Sequence, residues 1–112
     1  MAETRPWGEF HILHEEEKCK VKKLIVKPGQ KFSLQSHQFR NELWSVVSGV
    51  GEITLDEEIM PTQAGMMYYI PAGTKHRLEN VGNDDLTVIE VQTGTSFAEE
   101  DITRYEDLYG RT

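Results

Sequence analysis

"GMMYYIPAGTKHRLEN", Gly65 to Asn80, is the stretch on which the fold turns. Its first part, "MMYYI", is aromatic and apolar enough for a short strand. Pro71 and Gly73 end that strand, because proline cannot donate to a ladder and glycine admits a tight turn. "KHRLEN" resumes an extended pattern, in which His76 and Arg77 point to opposite faces.

Upstream lies "SLQSHQFRNELWSVVSG", Ser33 to Gly49. A strand places residues two apart on one face, so Gln35 and His37 can converge while Phe32, Leu34 and Ser36 face the other way. Glu42 would join them from the next strand or the turn into it. Taken alone, this is either part of a metal site or a set of polar residues held by hydrogen bonds.

The rest of the chain repeats the rhythm of strand and turn. "EFHILH", "KCKVKKLIVK", "KFSLQSHQ", "LWSVVSG", "EITL" and "LTVIEVQTG" read as strands, separated by "PGQ", Gly49 with Gly51, and "VGNDD". Seven or eight short strands with no long helical period predict an all-β sandwich or barrel. The only helix expected is a turn or two within "FAEEDITRYEDLYG". Glu15, Glu16 and Glu17 read as a solvated turn.

The 112 residues suffice for one domain, expected to span residues 1–112. A lone cysteine, Cys19, forms no intrachain bridge and reads as a small buried hydrophobe. No run approaches the roughly 20 apolar residues of a membrane span, and "MAETRPWGEF" has no apolar signal region, so a cytoplasmic protein with no membrane partner is expected. With 19 acidic and 12 basic residues the formal charge is -7, which argues against a nucleic-acid partner. A few cations in a cleft can still hold a small phosphorylated ligand.

Two spaced patterns sharpen this. Gly65, Pro71, Gly73, His76 and Asn80 match the second motif of the cupin family. Gly29, Gln35, His37, Glu42 and Gly49 fall on the positions of the first, with Gln35 where most cupins carry histidine. The chain therefore resembles a cupin, which implies a single jelly-roll β-barrel with one divalent ion inside. Gln35, His37, Glu42 and His76 stand at the ligand positions. Imidazole, carboxylate and amide oxygen suit Mn, Fe, Co, Ni or Zn.

"RPWGEF", "KVKKLIVKPGQ", "YIPAGTKHRLEN", "VIEVQTG" and "EDITRYEDLYGR" narrow the likeness. They resemble the type II mannose-6-phosphate isomerase domain, in which glutamine normally occupies the Gln35 position. That domain usually forms the C-terminal part of a bifunctional guanylyltransferase–isomerase. The family's "Q-x-H-H-H-R-x-E-H-W" stands here as "QSHQFRNELW", with Gln38, Phe39 and Leu43 replacing histidines. The resemblance implies interconversion of mannose 6-phosphate and fructose 6-phosphate. Glu42 is then the catalytic carboxylate, as ligand only or as ligand and base. Arg40 is the first choice for the phosphate, with Lys75 and Arg77 as further cations. Tyr69 either lines the barrel or sits in the core. The alternatives are a cupin that binds metal and sugar without catalysis, favoured by the missing histidines, and a small oxygenase. A homodimer is expected, with Trp7 and Phe10 of "RPWGEF" as an apolar arm.

Overall fold

The computed structural model describes residues 2–106, and their strands form two antiparallel sheets facing each other as a jelly-roll barrel. In chain order the strands are β1 (Ala2–Arg5), β2 (Gly8–Glu16), β3 (Cys19–Val26), β4 (Leu34–Ser36) and β5 (Arg40–Ser48). They continue with β6 (Val50–Leu55), β7 (Glu58–Gln63), β8 (Met67–Ile70), β9 (His76–Asn80), β10 (Leu86–Gly94) and β11 (Thr103–Glu106). One sheet runs β1-β2-β3-β10-β5-β8 and the other β11-β4-β9-β6-β7.

Three of these strands were not expected: β1, β7 and β11. Each is the outermost strand of its sheet, where one side of the ladder is unpaired and the hydrophobic alternation that marks a central strand is weak. β7 even carries Pro61, which an edge tolerates. The helix expected in "FAEEDITRYEDLYG" is corrected to strand over Thr103–Glu106, paired with β4; Asp107 onward lies outside the described residues. "KFSLQSHQ" was read as one strand but pairs regularly only over Leu34–Ser36. Phe32 and Ser33 are both buried, which a simple alternation does not allow.

The core is built by the inward rows. Leu24 and Val26 on β3, Val46 on β5, Leu86 and Val88 on β10, Ile53 on β6, Leu78 on β9 and Ile70 on β8 are all buried. Each such side chain contributes about 1.5–3 kcal/mol by leaving water. Trp7 packs on Phe32 with ring centroids 5.3 Å apart, and Phe32 meets Trp44 edge-on at 5.8 Å. The apolar arm thus closes its own barrel: Trp7 and Phe10 are buried within the chain. Tyr69 is also corrected. It is exposed on the outer face of β8, and Tyr68 is the tyrosine that packs on the core.

The motif glycines shape the turns. Gly49, with φ of 94°, links β5 to β6, and a Cβ there would stand 2.7 Å from the Asp85 carbonyl oxygen. Gly73, with φ of 87°, donates its N–H to the His37 carbonyl at 2.7 Å, fastening the β8–β9 turn to the segment between β4 and β5.

Candidate metal centre

The inward rows change character along the strands. On β3 the buried residues run Val26, Leu24, Lys22; on β10 they run Leu86, Val88, Glu90, Gln92; on β5 they run Val46, Trp44, Glu42. One end of the barrel is therefore hydrocarbon and the other polar, around a cavity of about 90 Å³. His76 enters from the first residue of β9, which pairs in register with Gln35 of β4. His37 follows β4 in the turn held by Gly73.

His37, Glu42 and His76 are all buried and offer ligand atoms within 4.8 Å of one another. His76 Nδ1–H donates to the Thr74 carbonyl at 2.9 Å, which leaves the lone pair on Nε2. That Nε2 is buried with no hydrogen-bond partner and stands 3.3 Å from Glu42 Oε1. A lone pair facing a carboxylate in a dry site is repulsive until a cation or a proton comes between them. His37 Nδ1 lies 3.6 Å from Glu42 Oε2. Arg40 clamps the pair: its Nε donates to Glu42 Oε2 at 3.1 Å and its NH2 to His37 Nε2 at 2.7 Å. Gln35 lines the same cavity.

Burial alone would raise the Glu42 carboxyl, but His76, His37 and Arg40 outweigh it and hold the group far toward its charged form. Burial lowers His37 to about 4, with Arg40 and His76 adding to the effect and Glu42 opposing it. Burial also works against a charged His76, yet the facing Glu42 raises it. Glu90 is pushed up to about 7 by burial and by the nearby charge of Glu42. Trp44 Nε1 donates to Glu90 Oε2 at 2.8 Å and Gln92 Nε2 to Oε1 at 2.7 Å, so Glu90 is firmly placed. Trp44 also meets His76 edge-on at 5.5 Å, joining the core to the centre.

The proposed phosphate cations separate. Arg40 lines the cavity. Lys75 is exposed, lies over the Tyr105 ring at 4.4 Å and borders a surface depression with Asp56 and Glu57. Arg77 follows His76 on β9 and alternates away from the buried row. Gln38, Phe39 and Leu43 are exposed, and none of them lines the cavity. Lys22, Glu90 and Gln92 were missed: in sequence they are ordinary polar residues of strands, and only the ladder register turns them inward. The period-two rows Lys22–Leu24–Val26 and Val88–Glu90–Gln92, with polar residues continuing an apolar face, were the available signal.

Three buried donors of imidazole and carboxylate type, one with a stranded lone pair, fit a divalent ion. The family model for the mannose-6-phosphate isomerase C-terminal domain matches residues 2–107. The xanthan biosynthesis protein XanB of Xanthomonas campestris is 46% identical over 108 residues, which cover 96% of this chain and 23% of XanB. The chain thus spans less than a quarter of that relative's length. Among solved structures, the capsular polysaccharide assembling protein CapF of Staphylococcus aureus superposes with a TM-score of 0.80. It is 26% identical, over 95% of this chain and 31% of CapF. The Cnp3 cupin domain of Schizosaccharomyces pombe gives 0.74 at 14% identity, over 77% of this chain and 64% of that one. The architecture is that of a jelly-roll cupin. Among the described residues no helix is long and apolar enough to cross a membrane.

Proposed function

The chain belongs to the mannose-6-phosphate isomerase C-terminal family, and from that premise we propose that it is a metal-dependent sugar-phosphate isomerase domain interconverting mannose 6-phosphate and fructose 6-phosphate. The observation that carries this is the buried His37–Glu42–His76 cluster with its unpartnered His76 Nε2. These three, with the Gln35 amide oxygen, would hold one divalent ion. Such an ion supplies Lewis-acid stabilisation of charge developing on the sugar oxygens.

The chain's own groups supply the rest. Arg40 orients Glu42 and His37 through its two donated hydrogen bonds. Glu42, held so far toward its charged form, serves as ligand and is a weak base. Glu90 is the buried carboxylate of the cavity outside the ligand set, and Trp44 and Gln92 fix it. Its pKa, raised to about 7, supports the role of carrying the proton between C1 and C2 of the sugar. Because Gln38, Phe39 and Leu43 face solvent, the missing histidines leave the cavity lining untouched. This favours catalysis over the non-catalytic sugar-binding alternative.

The test is conversion of mannose 6-phosphate to fructose 6-phosphate by protein reloaded with Mn²⁺, Co²⁺, Ni²⁺ or Zn²⁺ after chelation. Turnover with at least one ion and none without is the expected result. Stoichiometric ion and bound sugar phosphate with no turnover under any ion would leave the binding alternative standing in its place.

A further inference from the structure

Lys22 is the least expected side chain in the barrel. It belongs to the inward row of β3 and is only 8% exposed. Among the described residues its Nζ makes no hydrogen bond or ion pair; it lies 4.3 Å from the centroid of the Phe10 ring. Its ladder neighbour Glu90, held by Trp44 and Gln92, acts on the ammonium only through its charge and makes no ion pair with it among the described residues. The Arg5 guanidinium shares the same ring at 4.8 Å. Its ion pairs are long and run to exposed carboxylates, 3.7 Å to Glu3 and 3.8 Å to Glu99. Arg104, which lines the same cavity, has a buried Nε with no acceptor.

Resting on the sugar-phosphate reading above, we propose that Lys22 and Arg5, held at the Phe10 ring, form the seat for the ligand's phosphate monoester, across β10 from the candidate metal ligands. Both line the cavity, and each keeps N–H groups short of acceptors; a phosphate dianion can accept from both. Burial lowers the proton affinity of Lys22, and an anion beside it reverses that cost. Arg104 lines the cavity from the other sheet, and the cations expected from the sequence are less suited. Arg40 donates to Glu42 and His37, and neither Lys75 nor Arg77 lines the cavity. The seat moves the phosphate from the β5 side to the β3 side of the cavity. The sugar carbons then lie between it and the metal centre, beneath Glu90.

Two measurements test this. The first is calorimetric titration with inorganic phosphate in the presence of EDTA, so that phosphate reports on the cations and not on an ion. Lys22→Met, close in length and apolar, should bind phosphate at least about tenfold more weakly, the loss of a charge-assisted hydrogen bond. Arg5→Gln, at a half-exposed site where folding is not at stake, should weaken it about threefold or more. The second is steady-state kinetics of the metal-loaded protein. Both variants should raise KM for mannose 6-phosphate while kcat stays within about threefold, with one ion per chain retained. Wild-type phosphate affinity in both variants would overturn the seat, even if the enzyme turns over normally. A wild type that binds phosphate through Lys22 and Arg5 but isomerises nothing would leave the seat in place and remove the isomerase reading instead.

Discussion

Leu24, Val88 and Val46 form one cross-strand row of β3, β10 and β5; Lys22, Glu90 and Trp44 form the next, two residues along each strand. The rows lie about 7 Å apart. All six side chains are buried. The first row stabilises the barrel simply by leaving water, and any hydrocarbon of the right volume would serve. The second carries an ammonium and a carboxylate whose transfer from water is costly unless they are paired. Beyond it come Gln92 and Glu42, paired in register, then the histidines. Burial is equal in the two rows, so burial does not tell core from site. The chemistry of what is buried does. The polar end holds charges whose stabilisation is incomplete, and the incomplete part is what a ligand can supply.

Substitutions in the two rows should therefore break different properties. Leu24→Ala should have the largest effect on folding, a loss of about 2–5 kcal/mol in urea unfolding, with ion binding by the folded protein unchanged. A loss below about 1 kcal/mol would mean that this row is not the core. Glu42→Gln keeps the volume and should spare more of the stability, yet lower ion affinity by more than the about 10- to 100-fold typical of losing a ligand's partner. Elemental analysis that finds one ion per chain in Glu42→Gln would dismantle the ligand set. Gln35→Ala should cost less, because water can replace a neutral amide oxygen. Gln35→His should tighten nickel or zinc.

The third expectation concerns pH. Glu90 is raised in the folded protein from 4.5 to about 7, so the folded state holds its proton more tightly than the unfolded chain. Its contribution to stability is full below about pH 4.5, fades as pH rises toward 7 and is flat above. His37, held at about 4 against an ordinary 6.5, gives the opposite slope between those values. The clean observable is the difference in unfolding free energy between wild type and Glu90→Gln, both chelated. It should shrink from pH 5 to 7; a constant difference would show that Glu90 does not titrate there.

Asp101→Asn should have the smallest effect, below about 1 kcal/mol. The carboxylate is exposed and accepts N–H groups of Gln38 and Phe39, each at 2.9 Å. The slight burial it undergoes opposes its charge, but these two donors win and hold its pKa below 3.8. Its contribution is present above that value and lost as pH falls through the lowered one. Chelated protein unfolded at pH 7 and again at pH 3 should show a smaller wild-type advantage at pH 3; an equal advantage at both would remove the carboxylate's role.

Much of the barrel was legible in the chain because its signals are local. Turn glycines at Gly49 and Gly73, the stop at Pro71 and the period-two alternation of β3, β5 and β10 are properties of neighbouring residues. So was the spacing that singled out His37, Glu42 and His76. Edge strands β1, β7 and β11 were not legible, since an unpaired side removes the pressure to alternate. Tyr69 could not be told from Tyr68 until the pairing of β8 with β5 showed which of them faces out.

The residues by themselves determined an all-β barrel and the side chains able to grip an ion, because backbone conformation and ligand chemistry reside in single residues and short spacings. The tertiary structure alone decided which polar residues share the cavity. Lys22 and Glu90 are 68 positions apart, and Arg5 and Phe10 come from the N-terminal strands β1 and β2. The meeting of Lys22 and Glu90 depends on the β3–β10 register, and a slip of β3 by one residue would turn Lys22 to solvent while Glu90 stayed inside.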